Sequence, residues 1–196
     1  MQNTQNKQKI IMLVETGLLL SLSAVLSLPF LTVHSPWLMG GSVTFGSMLP
    51  VILISFRWNT KWGMFSSFVL SLIQLVMGLN NVNYAPNAGY AIAIILLDYV
   101  IAFSVLGLGN MFQNKVKNTL TAIVGGITVS YFLRFVCHFF SGWLIWDALW
   151  PNEQGMSGWY YSLVYNGSYM LPETLLSILI AVLSYAALKK FWERQA

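Results

Sequence analysis

The chain alternates long apolar stretches with short polar segments from one end to the other. A helix needs about 20 mostly apolar residues to cross a bilayer. The pattern therefore predicts one domain, residues 1–196, built from six transmembrane helices. The second stretch is short for a full span and contains Pro50, so a tilted or broken helix is expected there. The predicted helices cover roughly residues 10–28, 43–56, 62–79, 88–108, 119–146 and 159–188.

Positively charged residues are confined almost entirely to alternate loops. Nine of the ten Lys and Arg residues lie before the first stretch, between the second and third, between the fourth and fifth, or after the sixth. The segments 32–43, 80–88 and 147–158 contain none. Because short cytoplasmic loops are enriched in Lys and Arg, both chain ends are predicted to be cytoplasmic. The exception is Arg134, which lies inside the fifth stretch.

The composition supports an all-α integral membrane protein. Of the 196 residues, 57% are hydrophobic and only 8% are charged, too few charges for a soluble domain of this size. A bacterial cytoplasmic membrane is the simplest location. The single cysteine, Cys137, excludes an internal disulfide and a multi-cysteine metal cluster. No metal site is expected, because His138 has no second ligand nearby.

Several polar residues lie at membrane depth, where an ionisable side chain is costly and is a functional-site hypothesis by default. Asp98 lies about ten residues from the outer end of the fourth helix, roughly 15 Å deep. His138 lies one turn beyond Arg134 on the fifth helix, and Trp146 lies two turns further along the same face. With Asn166 on the sixth helix, these residues are predicted to converge on the outer half of the bundle.

Structural roles are the alternative for the same residues. Asp98 and Arg134 can form an ion pair between helices, and His138 can be a satisfied core histidine. Asn166 can bond a neighbouring helix, as polar residues do in membranes. Glu173 follows a proline and can satisfy the backbone that the proline frees.

Tryptophan and tyrosine residues are concentrated at the predicted outer ends of the helices. An interfacial belt explains most of them, but the inner ends hold fewer, which favours an aromatic-lined cavity that opens outward. A carboxylate, an imidazole, an amide and several rings suit a small, flat, hydrogen-bonding molecule, including a cationic one.

Missing motifs narrow the function further. There is no G-x-x-x-x-G-K-[ST] loop, so the chain cannot hydrolyse ATP itself. There is no G-x-S-x-G elbow, no H-E-x-x-H motif and no second carboxylate beside Asp98. An intramembrane enzyme using Arg134 and His138 is therefore disfavoured. A self-sufficient secondary transporter is disfavoured as well, because no paired repeats are visible.

Four segments carry a family resemblance: Gly40–Pro50 with Ser55–Arg57, Leu96–Phe103, Leu133–Gly142 and Tyr161–Pro172. Together they resemble the ThiT family, the thiamin-specific S-components of energy-coupling factor (ECF) transporters. The resemblance runs in order over nearly the whole chain, with the same six-helix hydropathy.

The resemblance implies a substrate-binding membrane subunit that captures thiamin from outside. Its partners would be a transmembrane coupling protein and two cytoplasmic ATPases, which use the ATP, and the chain itself would need no cofactor. An S-component for the precursor hydroxymethylpyrimidine, or for another water-soluble vitamin, is the alternative. Gly17 and Ser21 lie where the family's partner-docking motif lies. The implied substrate-binding residues are Asp98, Tyr99, Arg134, His138, Trp146, Tyr161 and Asn166, with weaker matches at Trp37 and Tyr84.

Overall fold

The computed structural model describes residues 2–34 and 41–193, and this part of the chain is almost entirely helical. Two short strands, β1 (Thr32–His34) and β2 (Ser42–Thr44), pair antiparallel between the first two helices. Trp37 lies outside the described residues. The helices are α1 (Gln2–Leu26), α2 (Leu49–Arg57), α3 (Thr60–Met77), α4 (Ala88–Asn110), α5 (Thr119–Leu149) and α6 (Gly158–Trp192).

Five of these helices, α1, α3, α4, α5 and α6, are long and apolar enough to cross a membrane. This confirms the all-α membrane class. The exception is α2, whose nine residues extend only about 14 Å, less than half of a hydrocarbon core. That the whole chain forms a single domain stays a prediction.

The second helix is shorter than the apolar pattern predicted. It begins at Leu49 rather than at Val43, because Ser42–Thr44 pairs with β1 and the chain then turns at Gly46, where φ is +74°. Pro50 lies in the first turn of α2. A proline is well tolerated there, since its missing N–H would have no partner within the helix.

Helix α2 forms the centre of the fold. All its residues from Leu49 to Phe56 are buried, and it contacts α1, α3, α4 and α6. The outer helices pack closely around it. A Cβ atom built on Gly126 of α5 would lie only 1.7 Å from the carbonyl oxygen of Gly109 in α4, so glycine is required for this approach, as at many membrane helix contacts.

Two of the long helices contain π-helical segments. Ile95–Val100 interrupts the α-helical geometry of α4, and Gly142–Trp146 does the same in α5. These segments carry Asp98 and Trp146, whose side chains meet. Single π-helical turns occur frequently at functional sites because they redirect side chains.

An ion pair marks the end of the bundle that carries the lysine-bearing loops. Arg57 donates to both carboxylate oxygens of Glu15, at 3.1 and 3.2 Å, and to the carbonyl oxygen of Lys190 at 3.2 Å. These bonds join α2, α1 and α6 at the end that the charge pattern assigns to the cytoplasm.

Candidate functional site

A cavity of about 1140 Å³ occupies the opposite end of the bundle. This volume is at the upper limit of ordinary small-molecule pockets. Side chains from α3 to α6 and from β2 line it. The lining includes every predicted site residue in the described part of the chain, namely Tyr84, Asp98, Tyr99, Arg134, His138, Trp146, Tyr161 and Asn166.

Asp98 connects α4 to α5. One of its oxygens, Oδ2, accepts a hydrogen bond from Trp146 Nε1 at 2.8 Å, and Oδ1 lies 3.2 Å from His138 Nδ1. The other ring nitrogen, His138 Nε2, is buried and has no hydrogen-bond partner among the described residues. The arrangement fixes the carboxylate between α4 and α5.

An aromatic stack lies at the mouth of the cavity. The rings of Trp146 and Trp150 are nearly parallel, at 9°, with centroids 5.6 Å apart. Tyr84 meets Trp150 edge to face, with centroids 4.8 Å apart. Trp150 and Tyr84 are more than half exposed. The stack therefore offers an accessible ring surface directly beside the Asp98 carboxylate.

Arg134 pairs with Glu173 of α6 rather than with Asp98, which corrects the alternative of an Asp98–Arg134 ion pair. The distance from Arg134 Nη1 to Glu173 Oε2 is 3.3 Å, and the guanidinium lies over the ring of Phe103, 4.8 Å from its centroid. Glu173 Oε1 accepts a hydrogen bond from Thr44 Oγ1. The expectation that Glu173 satisfies backbone freed by the preceding proline was wrong, because its carboxylate faces α5 and β2.

Asn166 is held in a hydrogen-bond network within the bundle. Its Oδ1 accepts from the hydroxyl of Tyr169 at 2.8 Å, and its Nδ2 donates to Ser162 O at 3.0 Å. It also approaches the carbonyl oxygen of His138 at 3.3 Å. The network needs a glycine at Gly142, since a Cβ atom there would lie 2.3 Å from Ser162 Oγ.

The remaining two predicted tyrosines line the cavity in different ways. Tyr99 is buried, and its hydroxyl donates to Gly78 O and accepts from Asn81 Nδ2, both at 2.9 Å. Tyr161 lies one turn before Tyr165, with the two rings stacked at 22° and centroids 6.0 Å apart. Tyr99 thus joins α4 to the end of α3, while Tyr161 contributes an aromatic wall.

Sequence reasoning missed Glu173 and Tyr169 as members of this site. A signal for them was present. Ser162, Asn166, Tyr169, Glu173 and Ser177 recur at three- and four-residue spacing on α6, and all are buried. A polar stripe of this kind on a membrane helix indicates a face turned toward protein or a cavity. Trp150 belongs to the outer aromatic residues that the sequence divided between an interfacial belt and a cavity, and its ring stacks on Trp146.

The charges around the cavity are mostly negative. Asp98, Asp147, Glu153 and Glu173 line it, and Arg134 is the one Lys or Arg residue among its described lining. Within the described residues, no group of three or more His, Cys, Asp or Glu side chains is arranged to hold a metal ion. The arrangement favours an organic cation over an anion.

The predicted docking residues lie on the exposed surface of α1 and are not part of the cavity lining. Gly17 and Ser21 are exposed, and a Cβ atom on Gly17 would have no heavy atom within 4 Å. The Ser21 hydroxyl donates to Gly17 O at 2.8 Å. Their face of the helix is open to lipid or to another protein, and docking there stays a prediction.

These features define a multi-pass membrane protein with a polar, aromatic-lined cavity at one end of its helix bundle. Residues 13–192 match the family model described as "Thiamine transporter protein (Thia_YuaJ)". The chain belongs to this family of thiamine transporters, and it is a transporter rather than an enzyme. The membership confirms the family identified from the four sequence segments.

Relatives and a solved structure agree with this assignment. The chain is 27% identical to the thiamine transporter ThiT of Bacillus subtilis over 193 residues, which covers 92% of this chain and 93% of that protein. It is 24% identical to the thiamine transporter ThiT of Lacticaseibacillus paracasei, with coverages of 90% and 87%. The structure of ThiT from Listeria monocytogenes has the same fold, with a TM-score of 0.75 at 22% identity over 95% of this chain and 99% of that chain.

Proposed function

We propose that the chain is the substrate-binding subunit of an ECF-type importer and captures thiamin from outside the cell. The observation that carries this proposal is the Asp98 carboxylate, held by Trp146 and His138 beside an aromatic stack. Thiamin combines a permanently cationic ring with a flat, hydrogen-bonding aminopyrimidine. A buried carboxylate complements the cation, and indole faces complement both rings.

Each group of cavity residues has its own role in recognising the ligand. Asp98 balances the positive charge of the thiazolium ring, while the Trp146 and Trp150 faces stack on the ligand. The imidazole of His138, which lines the cavity beside Asp98, also stacks on the ligand. Tyr161 and Asn166 contact the polar edge of the ligand from α6. Tyr84 and Tyr99 shape the wall of the cavity, and Arg134 forms its floor with Glu173.

Transport itself requires partners. The chain has no nucleotide-binding loop, so ATP would be hydrolysed by two cytoplasmic ATPases acting through a transmembrane coupling protein. The exposed Gly17 and Ser21 positions are the proposed docking place for that coupling protein, because small residues let membrane helices approach closely. The charge pattern supports an orientation with both chain ends in the cytoplasm, and a bacterial cytoplasmic membrane is the proposed location. The chain itself needs no cofactor.

Reconstitution into liposomes tests the proposal. We expect uptake of labelled thiamin only when the coupling protein and both ATPases are present with ATP on the side of the ATPases. Uptake by the chain alone, driven by an ion gradient, would contradict it and indicate a secondary transporter. Uptake of hydroxymethylpyrimidine but not of thiamin would assign the precursor instead. Replacing Gly17 and Ser21 with leucine should abolish uptake while thiamin binding in detergent is retained.

A further inference from the structure

The ion pair between Arg134 and Glu173 lies at the cavity, and neither residue balances the charge of a cationic ligand. The Glu173 side chain is 1% exposed and that of Arg134 is 8% exposed. Both oxygens of Glu173 are occupied, Oε2 by Arg134 and Oε1 by the hydroxyl of Thr44. A buried pair of this kind is costly to assemble compared with apolar packing. Its place beside a binding cavity therefore calls for a functional reason.

The electrostatics of the cavity supply that reason. Arg134 is the one Lys or Arg residue among the described lining, and an arginine facing a cavity is a strong site for phosphate. Glu173 pairs with Nη1 of the guanidinium and offsets its charge, while Arg134 Nε is buried with no hydrogen-bond partner among the described residues. Asp98 and Asp147 then leave the rest of the lining negative. A phosphate group, with about −1.5 to −2 charge at neutral pH, would meet repulsion and no available cation.

We propose that Glu173 is a selectivity residue: by offsetting the charge of Arg134, it makes the cavity bind the free cationic vitamin more tightly than its phosphate esters. This inference rests on the proposed function, because it concerns the same cavity and ligand. Thr44 takes part by orienting the carboxylate through its hydroxyl, which connects the pair to β2. Glu173 is a positioning residue here, acting through Arg134.

Charge substitutions give opposite predictions for the two members of the pair. In Glu173→Gln the guanidinium loses its counter-charge, so the ratio of the dissociation constant for thiamin monophosphate to that for thiamin should fall by about tenfold or more. In Arg134→Gln the carboxylate is left uncompensated, and the same ratio should rise by about tenfold or more. The double variant Arg134→Gln/Glu173→Gln removes both charges, and its ratio should stay within about threefold of the wild-type value.

The experiment is isothermal titration calorimetry of the detergent-purified full chain with thiamin and with thiamin monophosphate. Inorganic phosphate is added in parallel thermal melts, where it should stabilise Glu173→Gln and not the wild type. Glu173→Asp keeps the charge and should restore the wild-type ratio. If Glu173→Gln fails to fold, the selectivity ratios of Arg134→Gln and of the double variant are compared instead. The shift predicted for Arg134→Gln does not depend on the Glu173→Gln single variant.

The outcomes separate this inference from the proposed function. A wild-type protein that does not bind thiamin contradicts the proposed function itself. A wild-type protein that binds thiamin, with the same selectivity ratio in Arg134→Gln and the double variant, overturns only the role of the ion pair. Equal losses of affinity for both ligands in every variant would likewise overturn it, since they indicate a purely structural role.

Discussion

Replacing Asp98 with asparagine removes one negative charge from the cavity at almost constant side-chain volume. The amide oxygen can still accept the hydrogen bond from Trp146 Nε1, and the amide nitrogen can donate to an unprotonated His138 Nδ1. The contacts that now span 2.8 and 3.2 Å can therefore persist. The substitution isolates the charge of Asp98 from its role in packing.

The expected magnitude follows from the distance over which that charge acts. A thiazolium ring seated against the carboxylate would lie about 5 Å from it, and at an effective dielectric constant of about 20 the attraction is roughly 3 kcal/mol. The Asp98 side chain is 13% exposed, so water reduces this value to about 2–3 kcal/mol. The affinity for thiamin should fall by about 30- to 150-fold.

The assay is a calorimetric titration with two ligands of the same shape. One is thiamin, and the other is a neutral isostere whose thiazolium is replaced by an uncharged ring. Asp98→Asn should weaken the binding of thiamin by the whole fold-change given above, and the binding of the neutral isostere by about threefold or less. Glu153→Gln is the matched control, because Glu153 is exposed at the cavity mouth, where its charge is screened.

Equal weakening of both ligands in Asp98→Asn would refute this reasoning. It would mean that Asp98 acts by holding the Trp146 and His138 side chains in place, and not by balancing the charge of the ligand. A loss of thiamin affinity in Glu153→Gln as large as that in Asp98→Asn would also count against it. Any acidic residue near the cavity mouth would then be enough to balance the charge of the ligand.

Two further substitutions test the packing and the aromatic stack. Gly142→Ala should lower the melting temperature and weaken thiamin binding by about tenfold, because its Cβ atom would lie 2.3 Å from Ser162 Oγ and overpacking costs about 1–3 kcal/mol. In Gly167→Ala, whose Cβ atom meets nothing within 4 Å, neither the melting temperature nor the affinity should fall. Trp150→Ala should weaken binding by about 3- to 10-fold in stopped-flow fluorescence, mainly through faster release, because it removes the ring stacked on Trp146.

The controls decide both of these predictions. Equal losses in Gly142→Ala and Gly167→Ala would contradict the first prediction, because only the Cβ atom at Gly142 would lie against Ser162. An unchanged release rate in Trp150→Ala would show that this exposed ring contributes only to the membrane interface.

The hydropathy pattern was enough to predict the long helices, because a bilayer imposes their length and composition. It was not enough for the second helix. Its start at Leu49 depends on the pairing of Thr32–His34 with Ser42–Thr44, a contact between segments that periodicity within one helix cannot reveal. The buried position of α2 also explains its uniform apolarity, which resembles that of a spanning helix.

The candidate site was predictable where spacing along one helix decides it. His138 and Trp146 share a face of α5, and both contact Asp98 as the convergence of polar residues suggested. The partner of Arg134 was not predictable in the same way, because the pairing with Glu173 depends on the axial register between α6 and α5. That register is set by close contacts such as the one at Gly142. The ligand-binding role of these residues stays a prediction.

Titration of the purified full chain with thiamin, followed by calorimetry and by quenching of its eight tryptophans, is the most direct test of the central claim. We predict saturable binding at one site per chain, with quenching that follows the same curve because Trp146 and Trp150 lie at the cavity. A flat response to thiamin, together with saturable binding of hydroxymethylpyrimidine or another vitamin, would contradict the claim that this cavity captures thiamin.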